Sequence, residues 1–455
     1  MERFDSIYFL GIGGIGMSAL ARYFLFKGYR VAGYDRTASH ITDALSAEGA
    51  EICFDESPAL IPDYCKSPEN TLVVYTPAVP ESHAGFSFFR ENGFEIVKRA
   101  KLLGMITRNS RALCVAGTHG KTTTSSMLAH ILDSAPDGCN AFLGGILKNC
   151  NSNLMLSDRC DLTVIEADEY DRSFLQLSPY MAVITAADPD HLDIYGTEEE
   201  YLKGFADFTS LIRPGGVLLM RSGVKVKPRC AEGVRVFSFG DAGSDFYAEN
   251  IRVGNGRILF DFVAPDRVIS DVELGVPVRI NVYNAVAAMA VALLNGVDDA
   301  VIRDGVASFR GVERRFDFWI KSDRVVLLDD YAHHPDEVRA SLQSVRELYP
   351  DKHITVIFYP HLYSRTRDFA PQFAEALSLA DRVILLPIYP AREAPIEGVS
   401  SKIIQDALTC PESEICPKER LLERIHDGSF EVLMTMGAGD VDRFLPSIKK
   451  ILLDK

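Results

Sequence analysis

Gly117-Thr118-His119-Gly120-Lys121-Thr122-Thr123-Thr124 is the stretch that decides the fold. Before it runs Leu113-Cys114-Val115-Ala116, apolar and strand-like, and after it residues 125–132 are apolar at helical spacing. Strand, glycine-bearing loop and helix together are the setting of a phosphate-binding loop. Backbone N–H groups and a helix N-terminus present positive partial charge to an anion there. In that reading Lys121 reaches the terminal phosphates of a nucleotide and the Thr122 hydroxyl meets a magnesium ion. The usual pattern has glycine five residues before Gly120; this chain has Val115 there and Gly117 nearer, a shortened form. The alternative is an ordinary glycine-rich turn.

Outward from this loop, the 455 residues are too many for one core and imply several domains. Apolar residues make up 47% and charged residues 24%, an ordinary globular composition. No apolar run is long enough to cross a membrane. Nine cysteines lie scattered without CxxC pairs or zinc spacing, and the N-terminus resembles no signal peptide, so reduced thiols and a cytoplasmic location are expected. A net charge of −15 speaks against general nucleic-acid binding. An anionic substrate must then be held by local Lys, Arg and helix N-termini.

Residues 6–10 read as a buried strand leading into Gly11-Ile12-Gly13-Gly14-Ile15-Gly16 and a helix. A second strand, 29–34, ends at Asp35, placed as a ribose-binding acid would be. Alone this is a dinucleotide-type turn, but the same turn holds any pyrophosphate, including that of a UDP-sugar, and no pair for hydride transfer stands out. The first domain is expected to span 1–107. The second, 108–311, opens with the phosphate loop. Its strand 161–165 ends in Glu166-Ala167-Asp168-Glu169, magnesium candidates at a strand's C-terminal edge. Another strand, 181–185, runs into Asp190-His191, where the histidine is a second metal candidate or a surface group. Gly254-Asn255-Gly256 marks a hairpin. Asn281 and Asn284 share a helix face, either to bond a base edge or to cap. In the third domain, 312–455, strands end at Asp330, Phe358, Leu386 and Met436, so a third open parallel sheet is expected, with His and Arg gathered where such sheets bind ligands.

The ordered set Gly117 to Thr122, Glu166 to Glu169, Asp190-His191, Asn281-x-x-Asn284-Ala285, Arg314-Arg315-Phe316, Asp329 to Pro335 and His361-x-Tyr363-Ser364-Arg365-Thr366-Arg367 resembles the Mur ligases, ATP-dependent amide ligases of peptidoglycan precursor synthesis. The resemblance covers nearly the whole chain, and the shortened phosphate loop is the family's own form. It implies three α/β domains, each a mostly parallel sheet with flanking helices: Rossmann-like, P-loop and Rossmann-like. The opening glycine run and the Asp-Tyr-x-His-His-Pro run favour, within the family, the use of UDP-N-acetylmuramate and L-alanine. Attaching a tripeptide to the same nucleotide sugar is the neighbouring alternative, and a nicotinamide-dependent oxidoreductase the distant one.

By resemblance, a substrate carboxylate attacks the γ-phosphate of ATP, and the amine then attacks the acyl phosphate. Lys121 would hold the β- and γ-phosphates; Thr122 one magnesium; Glu166 and His191 a second magnesium, between the γ-phosphate and the carboxylate; Asn281 and Asn284 the adenine; Arg315 and Asp330 the phosphates and ribose. Tyr331, His333, His361 and Arg365 would meet the muramoyl and amino-acid end. Gly11, Gly13, Gly14, Gly16 and Asp35 would form the UDP site. Domain closure would assemble these parts, with hinges near Thr107–Arg108 and Gly311; monomer and dimer both stay open. Members commonly carry Arg after the histidine of the His361 motif. Here it is Leu362, so the amino-acid carboxylate needs another cation, with Arg367 and Arg392 as candidates. Ile280 and Ala186 depart similarly from the common His and Asn.

Overall fold

The structure is a computed structural model describing residues 3–76, 78–80, 82–189, 192–254, 256–391 and 393–455, the side chains of 192 and 193 excepted. His191, Asp190, Arg392 and the Asn255 turn thus lie outside the described residues. Three sheets carry the chain, each with flanking helices, giving a three-domain α/β fold.

The first sheet holds Ser6–Leu10 (β1), Arg30–Tyr34 (β2), Glu51–Cys53 (β3), Thr71–Tyr75 (β4) and Glu95–Lys98 (β5), all parallel in the order β3-β2-β1-β4-β5. The order reverses beside β1, so the crevice at its C-terminal end is a topological switch point where ligands bind. All five residues of β1 are buried, as an apolar strand covered on both faces requires.

The second sheet holds Arg111–Ala116 (β6), Asn140–Leu147 (β7), Ser152–Met155 (β8), Leu162–Glu166 (β9), Met181–Ile184 (β10), Val217–Arg221 (β11), Arg235–Gly240 (β12), Phe246–Gly254 (β13), Arg257–Ala264 (β14) and Arg267–Glu273 (β15). Its order is β15-β14-β13-β12-β11-β10-β6-β9-β7-β8. From β12 to β7 the pairing is parallel, and β8 closes that edge antiparallel. β6 lies inside the parallel run, between β10 and β9, so the loop that follows it meets the ends of both neighbours.

The third sheet holds Asp317–Lys321 (β16), Val326–Asp330 (β17), Ile354–Phe358 (β18), Arg382–Leu385 (β19), Glu412–Ile415 (β20) and Val432–Met436 (β21), ordered β16-β17-β21-β18-β19-β20. It is parallel except for β16, an antiparallel edge the sequence reading did not separate from the linker. The helix Pro335–Leu348 starts with proline at its first position, as expected.

By contacts the chain divides into two compact units. One comprises Met1–Glu249, Asp261–Val272 and Tyr283–Phe309; the other comprises Asn250–Phe260, Glu273–Val282 and Arg310–Lys455. The first sheet and the second sheet from β6 to β12 therefore fall in the first unit, while parts of β13, β14 and β15 belong to the other. All nine cysteines are free thiols. Among the described residues no helix is long and apolar enough to cross a membrane.

Candidate active site

In the first unit, two helices begin directly after glycine turns, Ile15–Phe26 after Gly14 and Lys121–Asp133 after Gly120. Neither has a side-chain cap. Elsewhere Ser39 and Thr197 cap their helices through hydroxyl groups. First-turn N–H groups left without a capping side chain are what an anion needs.

A cavity of about 980 Å³ joins the first of these turns to the second sheet. Its walls include Gly13, Gly14, Asp35 and Arg99 at one part and Gly144 and Glu166 at another. Asp35 shapes the turn itself: its carboxylate accepts the Gly13 N–H at 2.7 Å and the Thr37 N–H at 3.2 Å. Arg99, just past β5, packs on the turn so closely that a Cβ at Gly16 would stand 2.8 Å from its guanidinium. That places a cation beside the helix N-terminus that the sequence reading did not single out. The available signal was a basic residue at the C-terminal edge of a first-sheet strand.

The glycine loop after β6 is pinned from three sides. Gly117 has φ +143°, and a Cβ there would lie 2.2 Å from Thr185 Oγ1, so only glycine fits. The Thr185 hydroxyl donates to the Ala116 and His119 carbonyls. Thr118 donates its backbone N–H to Ala186 O and its hydroxyl to Asp188 O at 2.8 Å. Lys121 Nζ donates to Gly117 O at 2.6 Å and to Glu169 Oε1 at 2.9 Å, and the Glu169 side chain is 1% exposed. The Thr122 hydroxyl donates to Glu166 Oε1 at 3.0 Å, while Glu166 Oε2 accepts the Gly144 N–H at 3.0 Å. His119 is exposed and Thr123 half-buried on the first turn. Thr122 and Glu166, expected on two separate magnesium ions, are in direct contact. Glu169, last of the Glu-Ala-Asp-Glu run, takes a part the sequence reading did not give it, as partner of Lys121.

The Asn pair lies in the helix Arg279–Leu294. Asn284 Oδ1 accepts the Thr124 hydroxyl at 3.2 Å and lies against Gly120. Asn281 donates to Val276 O at 3.2 Å, a local bond of the capping kind.

In the second unit, the loops after β17, β18 and β21 gather the remaining candidates. Arg314 donates to Asp329 at 3.2 Å, Gly439 O at 2.9 Å and Gly437 O at 2.6 Å, and its own carbonyl accepts the Tyr331 N–H. The exposed Arg315 lies with its guanidinium 5.4 Å from the Tyr331 ring centre. His333 packs edge-on to Tyr331 at 5.1 Å and stands 6.2 Å from His361. His361 stacks on Tyr389 at 5.7 Å, and Leu362 behind it holds φ +71°, a conformation costly for a branched residue. Burial lowers the His333 pKa; Glu337 opposes this, and the Arg365 and Arg315 guanidiniums add to it. His333 is thus a neutral imidazole among two cations, with Arg365 on the first turn of the helix Tyr363–Leu377. Arg367 is exposed and paired with Asp368 at 2.7 Å.

Asp330 sits beneath this loop, 7% exposed, accepting the Ser341 hydroxyl and the Ala332 N–H. Burial pushes its carboxyl up to about 6, against the pull of Ser341, Arg315 and Ala332. The folded state therefore keeps a proton that an unfolded carboxyl, near 3.8, gives up. The stability this proton brings is complete below about pH 4 and lost as pH rises through about 6, roughly 3 kcal/mol in all. The Asp330→Asn variant is expected to lose less stability than the parent between these pH values. Identical pH slopes in denaturant unfolding would show that Asp330 titrates as an exposed acid.

Three family models match the chain in order. They are described as the Mur ligase family catalytic domain at residues 6–111, the Mur ligase middle domain at 115–292, and the Mur ligase glutamate ligase domain at 314–439. A UDP-N-acetylmuramate–L-alanine ligase from Parabacteroides distasonis is 60% identical over 453 residues, 99% of this chain and 98% of the relative. One from Flavobacterium johnsoniae is 46% identical, covering 99% of each. The crystal structure of UDP-N-acetylmuramate–alanine ligase from Thermotoga maritima superposes with a TM-score of 0.81 at 28% identity, covering 99% of each chain. A cavity running from the first glycine-led helix start to Glu166, a second glycine-led helix start whose Lys121 and Thr122 meet acids, and three matching domain models in sequence lead to one conclusion: the chain belongs to the Mur ligase family.

Proposed function

We propose that the protein joins L-alanine to the lactyl carboxylate of UDP-N-acetylmuramate, cleaving ATP to ADP and phosphate, in peptidoglycan precursor synthesis. Relatives at 46–60% identity bearing that activity in their names support this substrate pair over a tripeptide or a nicotinamide substrate. The observation that carries the reading is the cavity. It starts at the glycine turn after β1 and reaches Glu166, the carboxylate that touches Thr122 of the phosphate loop. A nucleotide sugar with its pyrophosphate at Gly13, Gly14 and Arg99 would direct its acid end toward that loop.

In this reading a lactyl carboxylate oxygen attacks the γ-phosphorus and the bond to ADP breaks, leaving an acyl phosphate. The amine nitrogen of L-alanine then attacks the acyl carbon, and the C–O bond to phosphate breaks. Side chains need only position the reactants and neutralise charge. Lys121 exchanges Gly117 O and Glu169 for phosphate oxygens. The Thr122 hydroxyl and Glu166 carboxylate, 3.0 Å apart, are hard oxygen donors that suit Mg²⁺, an ion that keeps several waters of its own. His191 would complete the set. When bound, the metal would neutralise the charge on the transferring phosphate. Asn281 and Asn284 would face the adenine, Arg315 the phosphates, and Asp330 would support the ribose side through the loop it underlies. Tyr331, His333, His361 and Arg365 would take the amino-acid end, with the carboxylate on Arg365. We place the domain borders at 107 and 311 and the reaction in the cytoplasm, where both nucleotides are supplied.

An ADP-release screen tests this. Release is expected with UDP-N-acetylmuramate plus L-alanine. Release only with a tripeptide would move the assignment to peptide recycling, and no release with either would end it.

A further inference from the structure

Beneath the loop after β6 stands a column of buried aromatic rings that takes no part in the steps above. Tyr195, Tyr201, Phe205, Phe174 and Phe208 follow one another with ring centres 4.8, 5.3, 5.3 and 4.9 Å apart. All five are at most 4% exposed. Phenylalanine would fill any of these places, so the two hydroxyls have another use; a buried hydroxyl without a partner costs free energy. Tyr201 lies on the helix Glu198–Ser210, and its hydroxyl stands 2.9 Å from Thr118 Oγ1. Thr118 gives its one hydroxyl hydrogen to Asp188 O, so Tyr201 is the donor of this pair. Tyr195 donates to Glu169 O at 2.7 Å. Burial pushes its hydroxyl up to about 12, with Glu169 adding to the rise, so it keeps its hydrogen at neutral pH. Gly204, one turn after Tyr201, leaves room for the Tyr195 ring: a Cβ there would stand 2.9 Å from it.

We infer that Tyr201 is a positioning residue for ATP, acting through Thr118 to hold the loop after β6 ready for the phosphates. The inference rests on the phosphate-loop reading above. Thr118 alone ties loop to loop, its N–H on Ala186 O and its hydroxyl on Asp188 O. Tyr201 anchors that junction to the packed core, where a ring in a column has little freedom to move. Its companion Tyr195 holds the backbone of Glu169, the acid that Lys121 gives up when phosphates arrive. The two hydroxyls thus fix both sides of the gap that Lys121 crosses. A loop whose N–H groups already converge binds an anion without first losing conformational freedom, and that difference is what the Tyr201 hydroxyl contributes to ATP affinity.

The test is a double-mutant cycle in affinity for a non-hydrolysable ATP analogue with Mg²⁺, read by calorimetry on the full-length protein. Tyr201→Phe keeps the ring in its column and removes the hydroxyl alone. It is expected to weaken the analogue by about tenfold, the range of one buried hydrogen bond, and to raise the KM for ATP alike, with kcat and UDP-N-acetylmuramate affinity unchanged. Thr118→Val has lost the acceptor. There the further change Tyr201→Phe should move affinity by less than about twofold, because a group that acts through another has no effect once its partner is gone. Affinity within about twofold of the parent in Tyr201→Phe, or an equal loss in both backgrounds, would overturn the inference. If Thr118→Val binds too weakly to measure, Tyr201→Phe decides alone: a raised KM at an unchanged thermal midpoint supports the inference, and a lowered midpoint at an unchanged KM overturns it. A parent without affinity for the analogue would overturn the phosphate-loop reading and this one with it.

Discussion

Replacing Lys121 with alanine is expected to lower ATP-dependent turnover by about 10³-fold or more, as loss of a principal phosphate-binding charge does. UDP-sugar affinity should stay within a few-fold of the parent. The split follows from geometry: Lys121 sits at the head of the helix after β6, while the walls of the large cavity are formed by other residues of the same unit. A second consequence separates chemistry from folding. Glu169 is almost fully buried, and removing the Lys121 ammonium takes away the cation 2.9 Å from it. Breaking one side of a buried ion pair costs about 3–5 kcal/mol, so Lys121→Ala should also unfold earlier. The double change Lys121→Met with Glu169→Leu should recover much of that stability and none of the turnover. Turnover near the parent's in Lys121→Ala, measured as ADP release, would remove the phosphate-loop assignment. A stable but inactive single variant would show instead that Glu169 is not held by this pair.

The parts of this site legible in the sequence were those fixed by local chain geometry. A strand, a glycine turn and a helix follow one another within a dozen residues, so both glycine-led helix starts could be read from spacing. The third sheet was legible for the same reason, through strands ending in acids and histidines. What stayed hidden depends on residues meeting across sequence. Arg99 reaches Gly16 from 83 positions away, and Glu169 reaches Lys121 from the loop after β9, the strand paired with β6. The antiparallel edge β16 was hidden differently. Its five residues, Asp317-Phe318-Trp319-Ile320-Lys321, follow an arginine doublet with no turn signal to set them apart. The roles within that doublet were also unreadable, because two adjacent arginines look alike until the backbone shows which turns inward.

Arg314 is that inward residue, and its loss is expected to be the most damaging single change in the second unit. It has φ +60° and is half-buried, and it ties together three segments: the linker through its backbone, the end of β17 through Asp329, and the loop after β21 through Gly437 and Gly439. Asp329 is fully buried, and burial pushes its carboxyl up even with Arg314 beside it. Without the guanidinium that carboxylate must either stay charged in an apolar setting or take up a proton. Both routes lead to a loss of about 3–5 kcal/mol. Two backbone carbonyls would lose their donors as well, and the N–H of Tyr331, which bonds the Arg314 carbonyl, would be free to shift the ring that Arg315 covers. Arg314→Ala should therefore lower both the unfolding midpoint and turnover, with UDP affinity, a property of the first unit, unchanged. Arg314→Lys restores one charge but not the forked set of donors, so it should recover part of the stability and little of the turnover. Arg315→Ala is the contrast: exposed and without a structural carboxylate of its own among the contacts described, it should cost turnover with little change in midpoint. If Arg314→Ala matched the parent in stability while Arg315→Ala did not, the two roles would have to be exchanged.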